Sequence, residues 1–264
     1  MNLKVLFSKI SGYIILISLT YIIFHYLELK YIFISSTTRD SVSPLFSAFT
    51  ILFSIISGFV IQSKWESWNQ LTDATHGEIS SLKQLFVLTN HFPTPIRVDL
   101  RKHIAAYLKL IINEKIDNKN LYFRSDDIER AIYELEETVL DINYSEHPNI
   151  GVLSFDLVRN CLEYREKRLQ TLSHKLPIGV RVFILSTMFA IVLSSLLLYF
   201  DNVVIEYILV LFIGILSFGI YLLIDDLDNP YRPGLWYLSK KDYEALYLEI
   251  KDSINKKSIS HPSI

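Results

Sequence analysis

Four stretches of the chain run without a charge for the length a bilayer demands: Ile10–Leu27, Ser41–Ser63, Val182–Phe200 and Tyr207–Ile224. A helix needs about 20 apolar residues to cross a hydrocarbon core of roughly 30 Å, so each stretch predicts one crossing. No small-x-small cleavage site follows the first, which therefore reads as a retained helix and not a removed leader. The second is the most informative. Ser43-Pro44 suits a helix start, with serine as the cap and proline at the position where no N–H is needed. Ile51, Ile55 and Phe59 then recur every fourth residue and stack along one stripe, and small or polar Ser47, Ser54, Gly58 and Gln62 fall on the same side. Phe53 falls on the other side, which is expected to face lipid. Lys64, Trp65 and Trp68 supply the snorkelling cation and amphipathic rings that suit a membrane–water boundary.

Between the two pairs of spans the pattern changes from apolar runs to helical periodicity. Leu71, Ala74, Ile79, Leu82, Leu85 and Phe86 keep close to a 3.6-residue period, so the second span is expected to continue as a helix to about Leu88. Asn90 to Pro95 reads as a turn, and Thr94-Pro95 restarts a helix through about Ile116. Asp117–Asn120 reads as a loop. Asp126 and Glu129 suggest a capping pair opening a helix to about Ile142. Asn143–Gly151 reads as a break, and Ser154–Leu176 as a long charged helix before Pro177-Ile178-Gly179. A mixed apolar and charged segment lies around Tyr243–Ile250, and the tail beyond it is polar. No strand-like alternation and no repeat of 20 to 50 residues is present.

Composition narrows the class. Hydrophobic residues make up 50% of the chain and the mean hydropathy is +0.29, too apolar for an ordinary soluble enzyme and too polar for a bundle wholly within lipid. A net charge of −2 and a pI near 6.4 carry no polybasic signature, so nucleic acid is not an expected partner. Of the 26 Lys and Arg, 15 lie between Lys64 and Pro177, whereas the Asp201–Glu206 turn has none. The positive-inside rule then places both termini and the middle block in the cytoplasm, in a multi-pass protein of the cell's inner membrane. Cys161 is the single cysteine, which leaves no intramolecular disulfide and no cysteine-based zinc site, and its expected place is a helical core.

Little catalytic chemistry is encoded. There is no glycine-rich phosphate loop, no nucleophile elbow, no His-Glu-x-x-His and no acidic calcium loop, and neither catalytic residues, a metal nor a cofactor is expected. His76 and Glu78 are two apart and so point to different sides of a helix. Asp225, Asp226 and Asp228 follow the fourth span directly. They read either as a solvated helix end or as carboxylates at a cytoplasmic mouth.

Ser57-Gly58-Phe59 followed by Ser63-Lys64-Trp65-Glu66-Ser67-Trp68 resembles the bestrophin superfamily pattern, in which a pore helix ends in phenylalanine and runs into a basic, aromatic and acidic cluster. The chain also looks like the bacterial bestrophin-like membrane family. Arg165-Glu166-Lys167-Arg168-Leu169 leading to Leu176-Pro177 occupies the place of that family's Arg-rich helix and Leu-Pro step. Leu227-Asp228-Asn229-Pro230-Tyr231 stands where the family has Leu-Asp-x-Pro-Phe. The resemblance covers roughly Leu45 to Gly234.

It implies an all-α membrane protein with four transmembrane helices in two pairs and a helical cytosolic domain inserted between them. The segments would be 1–41 for the first helix and outer loop, 42–63 for the pore helix, 64–180 for the cytosolic domain, 181–224 for the second pair and 225–264 for the acidic motif and tail. It further implies a homopentamer around a central pore. Ile51, Ile55 and Phe59 would match the hydrophobic neck, and Ser47, Ser54, Gly58 and Gln62 would line the pore. Lys64, Trp65, Glu66, Trp68, Asp225, Asp226, Asp228, Pro230 and Tyr231 would form the cytoplasmic mouth and family motif.

The expected function is an oligomeric channel passing small inorganic ions through that neck, anions before cations because large, weakly hydrated ions shed water at least cost. The alternative is a non-conducting, membrane-anchored interaction protein acting through its cytosolic helices. A coupled transporter ranks last, since it needs ionisable groups deep in its spans and only His25 approaches this.

Overall fold

The computed structural model describes residues 3–27, 36–114, 125–141, 148–198, 202–232, 234 and 236–258. Every long element among them is an α-helix: α1 Leu3–Tyr26, α2 Ser36–Leu88, α3 Thr94–Asn113, α4 Asp126–Leu140, α5 Pro148–Ser173, α6 Ile178–Leu197, α7 Val203–Asp228 and α8 Lys241–Ser258. A 3-10 turn, Thr89–His91, joins α2 to α3. α1, α2, α6 and α7 are long and apolar enough to cross a membrane, and the protein is an all-α membrane protein. The loops expected at Asp117–Asn120 and within 142–147 lie outside the described residues, as does the chain after Ser258.

The chain divides into two compact units, one of residues 1–66 and 175–237, the other of 67–174 and 238–264. In the first unit, Phe53 of α2 is buried with Ile184, Met188 and Ile191 of α6 and Ile224 of α7. Ile17 and Tyr21 of α1 pack with Leu196 and Val210. Gly214 of α7 lets α1 approach, because any Cβ there would strike the Ile17 side chain. Ser18 Oγ and Tyr207 Oη share a hydrogen bond of 2.9 Å between the same two helices. Asn202 caps α7, its Oδ1 accepting from the Val204 N–H at 2.9 Å and the Ile205 N–H at 3.4 Å.

The second unit is a helical bundle around Leu82, Leu85, Leu100, Ile104, Tyr107, Leu108, Ile132, Leu135, Val158 and Ile250. α4 shows why its sequence folds this way: Ile128, Ala131, Ile132, Leu135 and Val139 recur at three- and four-residue steps and are all buried. Arg101 organises the α2–α3 elbow. Its Nε donates to Thr89 Oγ1 at 2.9 Å, its Nη2 donates to Asn90 Oδ1 at 2.8 Å, and the guanidinium lies over the Phe86 ring. Lys240 closes the far end of α3, its ammonium donating to the carbonyls of Ile111, Ile112 and Glu114 at 2.7, 3.2 and 2.6 Å. These are the acceptors a helix C-terminus leaves open. Burial holds the Lys240 ammonium below its ordinary pKa.

Several element boundaries differ from the sequence expectation. α2 begins at Ser36, so Pro44 lies inside the helix and does not start it. A single proline removes one hydrogen bond from the ladder, and the 53-residue helix carries on through that gap. α5 begins at Pro148, with Gly151 buried within the helix and not marking a break. Ser125 occupies the cap position of α4, one residue before the expected pair, and makes no side-chain capping bond. α7 begins at Val203, so Glu206 is a buried helical residue and not part of a turn.

Candidate functional site

The α2 stripe is sorted by helical register. At 100° per residue, Phe53, Ser57 and Lys64 share one side, and all three are buried against the first unit. Opposite them Ile51, Ile55 and Phe59 are 58, 52 and 73% exposed. Ser47, Ser54, Gly58 and Gln62 are exposed beside them, and a Cβ on Gly58 would meet nothing within 4 Å. The three proposed neck residues and four proposed lining residues therefore share a face that the protomer leaves uncovered. Phe53 does not face lipid: it belongs to the core with α6 and α7, since it stands 160° from Ile55 on the helix.

The residues expected at a cytoplasmic mouth do not form one group. Lys64 Nζ pairs with Asp228 Oδ1 at 2.7 Å, and both side chains are under 10% exposed. Asp228 also accepts from the Leu176 backbone N–H at 2.8 Å and from Arg181 Nη2 at 2.7 Å. Arg181 Nη1 reaches Asp225 at 3.3 Å, and Arg232 Nη1 lies 3.7 Å from the other Asp225 oxygen. Lys175 donates to the Asp228 carbonyl at 2.7 Å and to Asn229 Oδ1 at 3.0 Å, and its burial holds its pKa below the ordinary lysine value. Asp225 and Asp228 are thus paired carboxylates and not a solvated helix end. They belong to an ion-pair cluster joining α2, the α5–α6 connection, α6 and α7. Lys64 is one of the basic residues of that cluster and does not stand on the exposed stripe.

The rest of the expected set is dispersed. Trp65 is 40% exposed and meets Trp236 edge-on at 5.8 Å. Glu66 is exposed and Trp68 half-buried, whereas Pro230 is buried and Tyr231 half-buried. Asp226 is half-buried, and the Gly234 backbone passes so close to its carboxylate that a Cβ there would lie 2.6 Å from Oδ1.

In the helical unit, a buried polar centre was not foreseen. Glu78 is fully buried on α2; Tyr107 Oη of α3 donates to it at 2.6 Å, Arg168 Nε of α5 at 2.8 Å and Tyr243 Oη of α8 at 3.0 Å. Burial, with the Glu78 charge second, pushes the Tyr107 hydroxyl well above its ordinary pKa. The sequence signal was a carboxylate seven residues after Leu71 and four before Leu82, on the buried face of an amphipathic helix. Cys161 lies in the same core, and burial, then Glu78, raises its thiol well above the usual range. A sunken acid held by a guanidinium and two phenols fastens four helices together. It offers no open coordination site and no substrate cleft.

The bestrophin-like domain family matches residues 15–234. A crystal structure of a variant of a bacterial bestrophin homologue from Klebsiella pneumoniae superposes with a TM-score of 0.73 at 13% identity, over 92% of this chain and 98% of that one. A second variant of the homologue from that organism gives 0.72 at 12% identity, over 94% and 98%. A crystal structure described as a membrane protein gives 0.73 at 14% identity, over 94% and 99%. At these identities the structures establish the fold. No curated protein matches the chain by sequence. The family match begins within α1 and spans the other three apolar helices, the helical unit up to α5 and the ion-pair cluster with its Leu-Asp-x-Pro-Tyr motif, and by that match the chain belongs to the bestrophin-like family.

Proposed function

We propose that this protein is an oligomeric ion channel whose pore neck is formed by Ile51, Ile55 and Phe59 of α2 from each subunit. The observation that carries this reading is the uncovered α2 stripe, on which three large apolar side chains alternate with serines and a glycine. Lipid contact alone does not call for Ser47, Ser54 and Gln62 on such a face, whereas a pore that wets and dewets does. Close helix packing is the competing use of small residues in membranes.

In a fivefold assembly, the number the family resemblance implies, each of the three positions becomes an apolar ring. Such rings pass ions that give up water cheaply, so anions go before cations through the neck itself. The protein lies in the inner membrane with both termini and the helical unit in the cytoplasm, an orientation supported by the Lys and Arg count of the middle segment.

The test is the triple variant Ile51→Ala, Ile55→Ala, Phe59→Ala in proteoliposomes. Widening the constriction raises ion flux above wild type while the assembly state is unchanged. Two silent proteins, both intact as oligomers in the liposomes, would end the channel reading and leave the membrane-anchored interaction protein.

A further inference from the structure

Buried cations in this chain are not paired alike. Lys64 meets Asp228 at 2.7 Å and Arg168 meets Glu78 at 2.8 Å. Arg101, 5% exposed, meets no acid: its Nε and Nη2 donate to the neutral oxygens of Thr89 and Asn90, and one face of its guanidinium lies over Phe86. Arg97, one turn earlier on α3, donates from Nη2 to the Phe92 carbonyl at 3.1 Å and likewise has no carboxylate partner among the described residues. Burial and then the Arg97 charge hold the Arg101 pKa below its ordinary value, and no carboxylate offsets them. Asp99 stands on the opposite side of the helix from both arginines and lies 3.9 Å from His103.

The backbone makes the same corner positive. α3 starts at Thr94 behind Pro93 with no side-chain cap and no acid in its first turn, and the N–H groups of Thr94 and Ile96 take no backbone acceptor. Arg97 Nε is a buried polar atom without a partner, as is Ser57 Oγ in the other unit. The Nη1 atoms of Arg97 and Arg101 also lack an acceptor but are not among those buried atoms, so they are the edges that solvent reaches. A guanidinium withdrawn from water without an opposite charge is costly. Two of them beside an uncapped helix start concentrate positive potential at one corner of the helical unit.

We infer that the α2–α3 elbow binds a free tetrahedral dianion of the phosphate class, held on the Nη1 edges of Arg97 and Arg101 at the start of α3. Guanidinium groups present N–H donors in the geometry that phosphate oxygens accept. A helix start adds backbone N–H groups and the positive end of a dipole. The ion supplies the opposite charge that Arg101 lacks, and it ties the end of α2, where Phe86 and Thr89 already hold Arg101, to the first two turns of α3. The site lies wholly within the helical unit and does not depend on whether the protein conducts.

The experiment is hydrogen–deuterium exchange of the detergent-purified full chain titrated with sodium phosphate, sodium acetate or sodium chloride at matched ionic strength. Phosphate at about ten times its dissociation constant slows opening of Phe86–Arg101 about tenfold, and chloride does not. Arg97→Gln weakens phosphate at least about tenfold while exchange in α4 stays as in wild type. Arg130→Gln removes the same charge from the exposed side of α4 and leaves the titration unchanged. Asn90→Asp places a carboxylate against Arg101 Nη2, at the cost of the Asn90 Nδ2 bond to the Val87 carbonyl, and abolishes the phosphate response; it carries the test if Arg97→Gln fails to fold. Equal protection by phosphate and chloride overturns the site, as does a full phosphate response in Asn90→Asp or equal weakening by Arg97→Gln and Arg130→Gln. Acetate protecting as well as phosphate would assign the arginines to a protein carboxylate and overturn the dianion.

Discussion

Replacing Glu78 by alanine removes the one carboxylate in a fully buried centre and leaves Arg168, itself 4% exposed in its side chain, without the oxygen its Nε meets at 2.8 Å. Breaking a buried pair from one side costs about 3–5 kcal/mol, because the remaining charge loses a partner that water does not replace. The Tyr107 and Tyr243 hydroxyls lose their acceptor as well, which adds to the penalty. At 1.4 kcal/mol per decade, the lower bound is roughly a hundredfold increase in local opening. Hydrogen–deuterium exchange on the detergent-purified protein reads that opening directly, and α3, α5 and α8 should all lose protection together because each supplies one partner. Glu78→Leu combined with Arg168→Met removes both charges, and is expected to be less destabilised than Glu78→Ala alone despite the larger change in sequence. Unchanged protection in the single variant, or a double variant worse than the single, would show that Glu78 does not hold these helices.

Cys161 should resist N-ethylmaleimide in the folded protein at pH 8 and react fully once denatured, because burial pushes its thiol well above the usual thiol range and the thiolate is the reactive form; rapid labelling of the native chain would contradict the packing. Cysteine at Ile55 or Phe59 should give oxidative dimers if the α2 stripes meet at a common axis, whereas cysteine at Phe189, 67% exposed on α6, should not. Equal crosslinking at all three would reject the stripe as the central contact.

The helices were legible because their signals are strong and local. Uncharged runs of bilayer length and the 3.6-residue period in α4 need no tertiary information. The exposed stripe was legible for the same reason, since Ile51, Ile55 and Phe59 define it from sequence alone. The other face of the same helix was open to the same arithmetic: Lys64 follows Phe53 by eleven residues and Ser57 by seven, which puts it on their side and away from Phe59. What register could not supply was the partner. Asp228 is 164 positions away from Lys64, and Tyr243 is 165 from Glu78. Helix starts were the least legible. Proline at 44 and glycine at 151 are common stop signals, and both lie within helices here. A local preference worth about 1–3 kcal/mol gives way to a continuous helix.

The helical unit is assembled from chain segments made at different times. Residues 67–174 leave the ribosome first, then α6 and α7, and only afterwards the segment that carries Lys240 and Tyr243. Until it arrives, the carbonyls at the end of α3 lack their ammonium, and Glu78 lacks one of its two phenols. The core likewise lacks Leu246 and Ile250. A nascent intermediate therefore exposes a groove shaped for α8, while two spans still have to enter the bilayer. Its closing contacts have very high sequence separation, which slows folding and prolongs exposure to aggregation. Synthesis stalled before residue 238 should leave a membrane-inserted chain with an unfinished helical unit, the form that quality-control proteases find first.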